Sequence, residues 1–227
     1  MIKGILFDLD GLLIDSEKIY HRVSYEMARK LGADLHNGVL AQQMGRSPLD
    51  SMVIFKRELG IAKFSAQELV DWRDRMMLKA YGKQIDTMPG AHEIIENAHG
   101  RCKMAIATGS TRNLVDVVVE KLKLAEKLDV VLPSDEIKNG KPDPEIYETA
   151  AKMLNLKTDE CVVLEDSSNG CMAGHKAGCV VIAIPNEHTE NQDFSFVDHV
   201  VKNLDEAWAI IEKLMIPSSN LQYRLSL

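Results

Sequence analysis

Apolar residues follow two rhythms along this chain of 227 residues. Short unbroken apolar runs, rich in β-branched side chains, predict buried strands because they are too brief for an ordinary helix. They lie at residues 2–7, 103–108, 129–132, 161–164 and 180–184, with a short edge strand at 197–201. Other segments repeat their apolar positions every three or four residues, the spacing of an amphipathic helix. Ser16 stands where a cap belongs, ahead of Ile19, Val23, Met27 and Leu31, and Gly32 supplies the stop. Ser47-Pro48 opens a second helix that buries Leu49, Met52, Val53 and Leu59 and ends at Gly60. A third starts with the capping box Ser65–Glu68 and carries Leu69, Trp72, Met76 and Tyr81. Further helices are predicted at 91–98, 111–122, 169–177 and 204–214. One more opens at Asp143-Pro144, with the aspartate as cap and the proline at the first helical position.

From residue 88 onward strands and helices alternate, which predicts a doubly wound parallel α/β sheet. Between the first two strands the pattern is helical throughout, far longer than a strand-to-strand crossover requires. Residues 15–87 therefore read as an inserted α-helical domain, and residues 1–14 with 88–227 as the α/β core. The two crossings, near Asp15 and near Met88-Pro89-Gly90, are the expected hinges.

Composition narrows the function. A hydrophobic fraction of 45% and a charged fraction of 27% are ordinary for a globular protein, and a formal charge of −7 argues against nucleic acid as a partner. No apolar run approaches the roughly 18 residues of a membrane span, and Met1 leads straight into a strand without a secretory leader, so a cytoplasmic location is expected. Cys102, Cys161, Cys171 and Cys179 lack zinc-ligand spacing and read as reduced, buried thiols. The seven histidines form no helical metal pair and read as surface or packing residues.

Polar clusters stand at the predicted strand ends, where open parallel sheets bind their ligands. Asp8-Leu9-Asp10-Gly11 closes the first strand; D-x-D-G arises by chance roughly 0.06 times in this length, so it needs corroboration. Thr108-Gly109-Ser110 follows the second strand and suits phosphate oxygens through hydroxyl and backbone. Lys141-Pro142-Asp143-Pro144 sets one lysine in a stiff loop. Glu165-Asp166, at the end of the fourth strand, offers paired carboxylates to a hard cation such as Mg²⁺.

In this order the four clusters resemble the haloacid dehalogenase superfamily of phosphohydrolases across essentially the whole chain. Asp8-Leu9-Asp10-Gly11 is similar to its first motif, Thr108 to the second, Lys141 to the third and Glu165-Asp166 to the fourth. The resemblance implies a Rossmann-like core with a helical C1 cap, and Asp15-Ser16-Glu17 with Lys141-Pro142-Asp143-Pro144 resembles the branch of β-phosphoglucomutase and small sugar-phosphate phosphatases. It further implies Asp8 as nucleophile and Asp10 as acid and base, with Thr108, Gly109, Ser110 and Lys141 holding the phosphoryl group. The implied Mg²⁺ ligands are Asp8, the backbone carbonyl of Asp10 and Asp166, with Glu165 a ligand or a neighbour of one.

A halide leaving group needs no proton, so Asp10 points to a phosphoester. The expected activity is hydrolysis of a small phosphorylated metabolite, a sugar phosphate or a nucleoside monophosphate-like compound, by a monomer. A phosphosugar mutase is the alternative, and a catalytically silent phosphate-binding protein the remote one. The mutase pattern has a histidine where Tyr20 stands and an arginine later than Arg46, so neither match is clean. Tyr20, Gly45 and Arg46 are the expected substrate-selecting residues of the cap.

Overall fold

The computed structural model describes residues 1–43 and 46–216. Gly45 and the tail 217–227 lie outside the described residues, so the role expected of Gly45 has no structural counterpart here.

Among the described residues, six parallel strands form one sheet: β1 (Gly4–Phe7), β2 (Lys103–Ala107), β3 (Val130–Leu132), β4 (Cys161–Glu165), β5 (Val180–Ala183) and β6 (His199–Val200). Their spatial order is β3-β2-β1-β4-β5-β6, so the chain reverses its direction of travel at β1. Leu6 pairs with Ala105 on one side and Val163 on the other. Strand side chains alternate between faces, so β1 feeds two cores. Ile5 and Phe7 join one apolar cluster and Leu6 the other.

The helices are α1 (Glu17–Lys30), α2 (Asn37–Gln43), α3 (Pro48–Glu58), α4 (Ala66–Lys83), α5 (Ala91–Ala98), α6 (Arg112–Lys121), α7 (Glu145–Met153), α8 (Ser168–Ala177) and α9 (Leu204–Leu214). Ile94 of α5, Leu114 of α6 and Ile211 of α9 pack in the Phe7 cluster, while Ile146 of α7 and Ala173 of α8 pack in the Leu6 cluster. Helices therefore cover both faces, as a parallel sheet requires.

The helices α1 to α4 fall between β1 and β2 in sequence. The chain leaves and re-enters the sheet through two segments lying side by side: Asp15 N–H donates to the Asp86 carbonyl at 2.9 Å, and Met88 N–H to the Leu13 carbonyl at 3.0 Å.

Several local expectations are corrected. α2 was not anticipated, since Asn37–Gln43 is only two turns long with two buried side chains, Val39 and Leu40. In α3 the buried positions are Ser51, Met52, Ile54 and Phe55, whereas Leu49 is 46% and Val53 48% exposed. Leu49 sits one residue after Pro48 and lines the large cavity, so the apolar stripe is rotated from the expected one. Ser16 does not cap α1 through its side chain, because its backbone is already helical and its side chain is buried. Pro144, not Asp143, occupies the cap position of α7; Asp143 Oδ1 still accepts from Glu145 N–H at 3.1 Å. The free cysteines agree with expectation, with Cys161, Cys171 and Cys179 buried and Cys102 half-buried.

Candidate active site

The strand register carries the acidic motif to the edge of the sheet. Asp8 N–H continues the ladder by donating to the Leu164 carbonyl at 3.0 Å, which sets Asp8 beside the end of β4. Thr108 N–H does the same to the Leu132 carbonyl at 3.1 Å. All four predicted clusters meet there.

Lys141 is the hub. Its Nζ donates to Asp8 Oδ1 at 2.5 Å, to Glu165 Oε1 at 2.7 Å and to the Ala107 carbonyl at 3.1 Å. Burial alone would lower its pKa, but the Asp8 and Glu165 carboxylates reverse that and hold it well above the ordinary lysine value. Asp8 is pushed up to about 7, chiefly by burial; Lys141 pulls it down, while Glu165 and Asp10 add to the rise. Asp166 is raised well above the usual carboxylate range, again by burial first and then by the charges of Glu165 and Asp8.

Asp10 has a different shell. Its Oδ2 accepts from Ser110 Oγ at 2.6 Å and from Thr108 Oγ1 at 3.3 Å, and its Oδ1 from the Tyr81 hydroxyl at 3.3 Å. Ser110 gives its only proton to Asp10, so the Tyr20 hydroxyl, 3.0 Å away, is the donor to Ser110 Oγ. Two carboxylates two residues apart thus stand in unlike surroundings, one against an ammonium and one among hydroxyls.

Gly11 and Gly170 are required by space. Gly11 has a φ of +79°, and a Cβ there would lie 2.4 Å from Asp166 Oδ2. At Gly170 a Cβ would fall 1.6 Å from Glu165 Oε1.

Asp8, Glu165 and Asp166 form the acidic cluster that fits a metal ion, with one carboxylate oxygen of each within 4.8 Å of the others. An all-oxygen donor set suits Mg²⁺, and a cation there would offset the burial that raises the pKa values of Asp8 and Asp166. Glu165 is less available. Its Oε1 accepts from Lys141 and from the Tyr147 hydroxyl at 3.1 Å, and its Oε2 from Ser167 N–H and Oγ, both at 3.0 Å. It serves to anchor Lys141 and the start of α8. The Asp10 carboxylate is outside the three-residue cluster.

A cavity of ≈ 990 Å³ opens above these groups, walled by the sheet edge on one side and by α1, α3 and α4 on the other. Gly109, Tyr20 and Arg46 line it, as do Glu17 and Arg73. Arg46 is exposed, and its Nε donates to the Gln42 carbonyl at 2.8 Å.

The family profile described as haloacid dehalogenase-like hydrolase matches residues 5–184. The chain belongs to that family. Its haloacid dehalogenase-like relatives include the validoxylamine A 7′-phosphate phosphatase of Streptomyces hygroscopicus subsp. limoneus, 29% identical over 91% of this chain and 96% of that protein. The phosphorylated carbohydrates phosphatase of Thermotoga maritima is 29% identical over 78% of this chain and 82% of its own. The crystal structure of CbbY from Rhodobacter sphaeroides in complex with phosphate superposes with a TM-score of 0.83 at 25% identity, covering 91% of this chain and 96% of CbbY. The chain is thus an enzyme, a haloacid dehalogenase-like hydrolase with named phosphatases among its relatives. No described helix is long and apolar enough to cross a membrane.

Within this hydrolase the structure adds residues that the motifs leave out. Tyr81 reaches Asp10 from α4, and Tyr147 reaches Glu165 from α7. Asn186, beyond β5, donates from Nδ2 to Asp166 Oδ2 at 2.8 Å and to the Gly11 carbonyl at 3.1 Å. Its position just past a strand end was the available signal. Glu17 lines the cavity with its pKa pushed up to about 7, by burial and then by Asp10 and Asp15. Its spacing from Tyr20 placed both on one face of α1.

Proposed function

We propose that this hydrolase is a Mg²⁺-dependent phosphatase of a small phosphate monoester, working through a phosphorylated Asp8. One observation carries the reading: Asp8 and Asp10 leave the same strand end with separate partners, Lys141 for Asp8 and three hydroxyls for Asp10. That division suits a nucleophile and a proton carrier.

In the first half-reaction an Asp8 carboxylate oxygen attacks phosphorus as the ester P–O bond breaks, and Asp10 gives its proton to the leaving oxygen. In the second, Asp10 takes a proton from water as that water attacks the acyl phosphate; the bond to Asp8 breaks, restoring its carboxylate and releasing phosphate. Lys141, Thr108, Ser110 and the backbone at Gly109 would hold the transferring group, the two hydroxyls turning to it from Asp10 and Lys141 from its present acceptors as the substrate enters. Asp8, Asp166 and the Asp10 carbonyl would hold Mg²⁺, which supplies positive charge against the phosphoryl oxygens and the nucleophile. Asn186 orients Asp166 for that role.

Residues 15–87 are proposed as a cap domain on a core of 1–14 and 88–227, pivoting at the paired segments Asp15/Asp86 and Leu13/Met88. The names of the relatives, phosphatases of phosphorylated carbohydrates and of a 7′-phosphate, support a sugar-phosphate-like substrate. The mutase alternative needs a cation free to grip a distal phosphate. Arg73 is paired with Asp74 and Lys176 Nζ donates to the Pro142 carbonyl, which favours water as the acceptor; Arg46 and Lys138, which also line the cavity, are the cations a distal phosphate would have to use. With a phosphorylated sugar that is turned over, inorganic phosphate is expected to appear in step with substrate loss and without a bisphosphate primer. An isomerised sugar phosphate with little phosphate released would establish the mutase instead.

A further inference from the structure

Arg73 is a charged cavity residue that neither the motifs nor the proposed reaction uses. It lies on α4 with its side chain 7% exposed, and it forms part of the cavity wall. Its Nε and Nη2 donate to Asp74 Oδ1 at 3.1 and 2.9 Å. Asp74 Oδ2 in turn accepts from Thr111 Oγ1 at 2.9 Å, so the pair is fastened to the start of α6. The guanidinium lies 5.6 Å from the ring centroid of Tyr20, whose hydroxyl leads through Ser110 to Asp10.

Nη1 has no hydrogen-bond partner among the described residues. Arg73 lines the cavity, on whose side this unpaired edge of the guanidinium is available to a ligand. A buried guanidinium clamped on one edge, braced by an aromatic ring and open on the other edge is a rigid donor awaiting an acceptor. Its charge is already matched by Asp74. The open edge therefore favours a neutral oxygen over a second anionic group.

We propose that Arg73 is a specificity-determining residue, donating from Nη1 to an oxygen of a neutral, polyhydroxylated leaving group while the phosphoryl end sits at Asp8. The inference rests on the phosphatase reading and adds the group that recognises the alcohol half of the ester. Arg73 selects monophosphates of neutral polyols and disfavours bisphosphates.

The test compares kcat/KM for a hexitol monophosphate, the corresponding bisphosphate and phenyl phosphate, which lacks hydroxyls to recognise. The wild-type enzyme is expected to prefer the hexitol monophosphate to the bisphosphate; the reverse preference overturns the proposal without any variant. Arg73→Met is made together with Asp74→Asn, so that no half-buried carboxylate is stranded, and folding is checked by thermal melting. The ratio of kcat/KM for hexitol monophosphate to that for phenyl phosphate should fall roughly ten- to hundredfold, the worth of one charge-assisted hydrogen bond. An equal loss on both substrates would assign Arg73 to structure alone and overturn the proposal, as would an unchanged ratio. Wild-type enzyme inactive on every phosphomonoester would instead remove the phosphatase reading, and this inference with it.

Discussion

Tyr81 and Asp10, 71 residues apart in the chain, meet at the sheet edge, where the Tyr81 hydroxyl donates to Asp10 Oδ1 at 3.3 Å. The bond ties α4 to the carboxylate that carries protons in the proposed reaction, so the position of the helical segment and the orientation of Asp10 are linked. Tyr81→Phe keeps the buried ring and removes the bond. The bond is long, so a loss at the low end for charged acceptors is expected, roughly three- to tenfold in kcat, with little change in thermal stability. Unaltered kcat in a steady-state assay would show that Ser110 and Thr108 hold Asp10 unaided.

Asp8→Asn and Asp10→Asn should fail differently. Without the Asp8 carboxylate no phosphoenzyme forms, and rapid-quench labelling with a phosphorylated substrate should find none. Asp10→Asn should slow both half-reactions by about a hundredfold or more while substrate still binds. Normal turnover in Asp8→Asn would remove it as nucleophile.

The metal-free protein should lose stability as pH rises. Asp8 goes from an ordinary 3.8 to about 7 in the folded state, and Glu17 from 4.5 to about 7. Between those values the folded protein binds protons that the unfolded chain has released, so stability is fully present below the unfolded values and falls as pH climbs toward about 7. Each fully buried group contributes a slope of up to about 1.4 kcal/mol per pH unit, less for Glu17, whose side chain is 20% exposed. Mg²⁺ held as proposed would bind the ionised form of Asp8 and should flatten the fall. Urea denaturation across this pH range, with EDTA and then with saturating Mg²⁺, measures both effects; identical profiles would place no metal at this cluster. EDTA should likewise stop turnover, and Mg²⁺ restore it.

Gly170→Ala should disable the site without touching a reacting group. The new Cβ would overlap Glu165 Oε1, and moving that carboxylate releases the anchor of Lys141. Overpacking costs about 1–3 kcal/mol, so a lower melting temperature and a kcat reduced about tenfold or more are expected. A variant with wild-type activity would show that Glu165 can shift without disturbing Lys141.

The strands, their order along the chain and the clusters at their ends were legible in the sequence because each is local. A strand shows in a few consecutive apolar residues, and in a parallel sheet the residues just past it must face the ligand edge. Asp8, Thr108 and Asp166 could therefore be picked out by position, whereas Lys141, well beyond the end of β3, stood out by its proline-stiffened loop and by the family resemblance. α9 was read to the residue, and α6 was recovered despite Val117-Val118-Val119, because Leu114, Val115 and Val118 bury one face of it. The rotation of α3 was not legible, since periodicity gives a stripe but not which flank meets the cavity; Leu49 and Val53 fit the period yet stay exposed. The partners of the motif residues belong to tertiary structure entirely. Tyr81, Tyr147 and Asn186 carry no motif, and each reaches a residue brought close only when the sheet and the helices pack. Glu165 shows the same division: its acidic character marked it for a metal, while four donors converging from Lys141, Tyr147 and Ser167 make it an anchor. A side chain's chemistry is set by its own atoms, but the role left open to it depends on which neighbours have already taken its hydrogen bonds, and that is decided by packing.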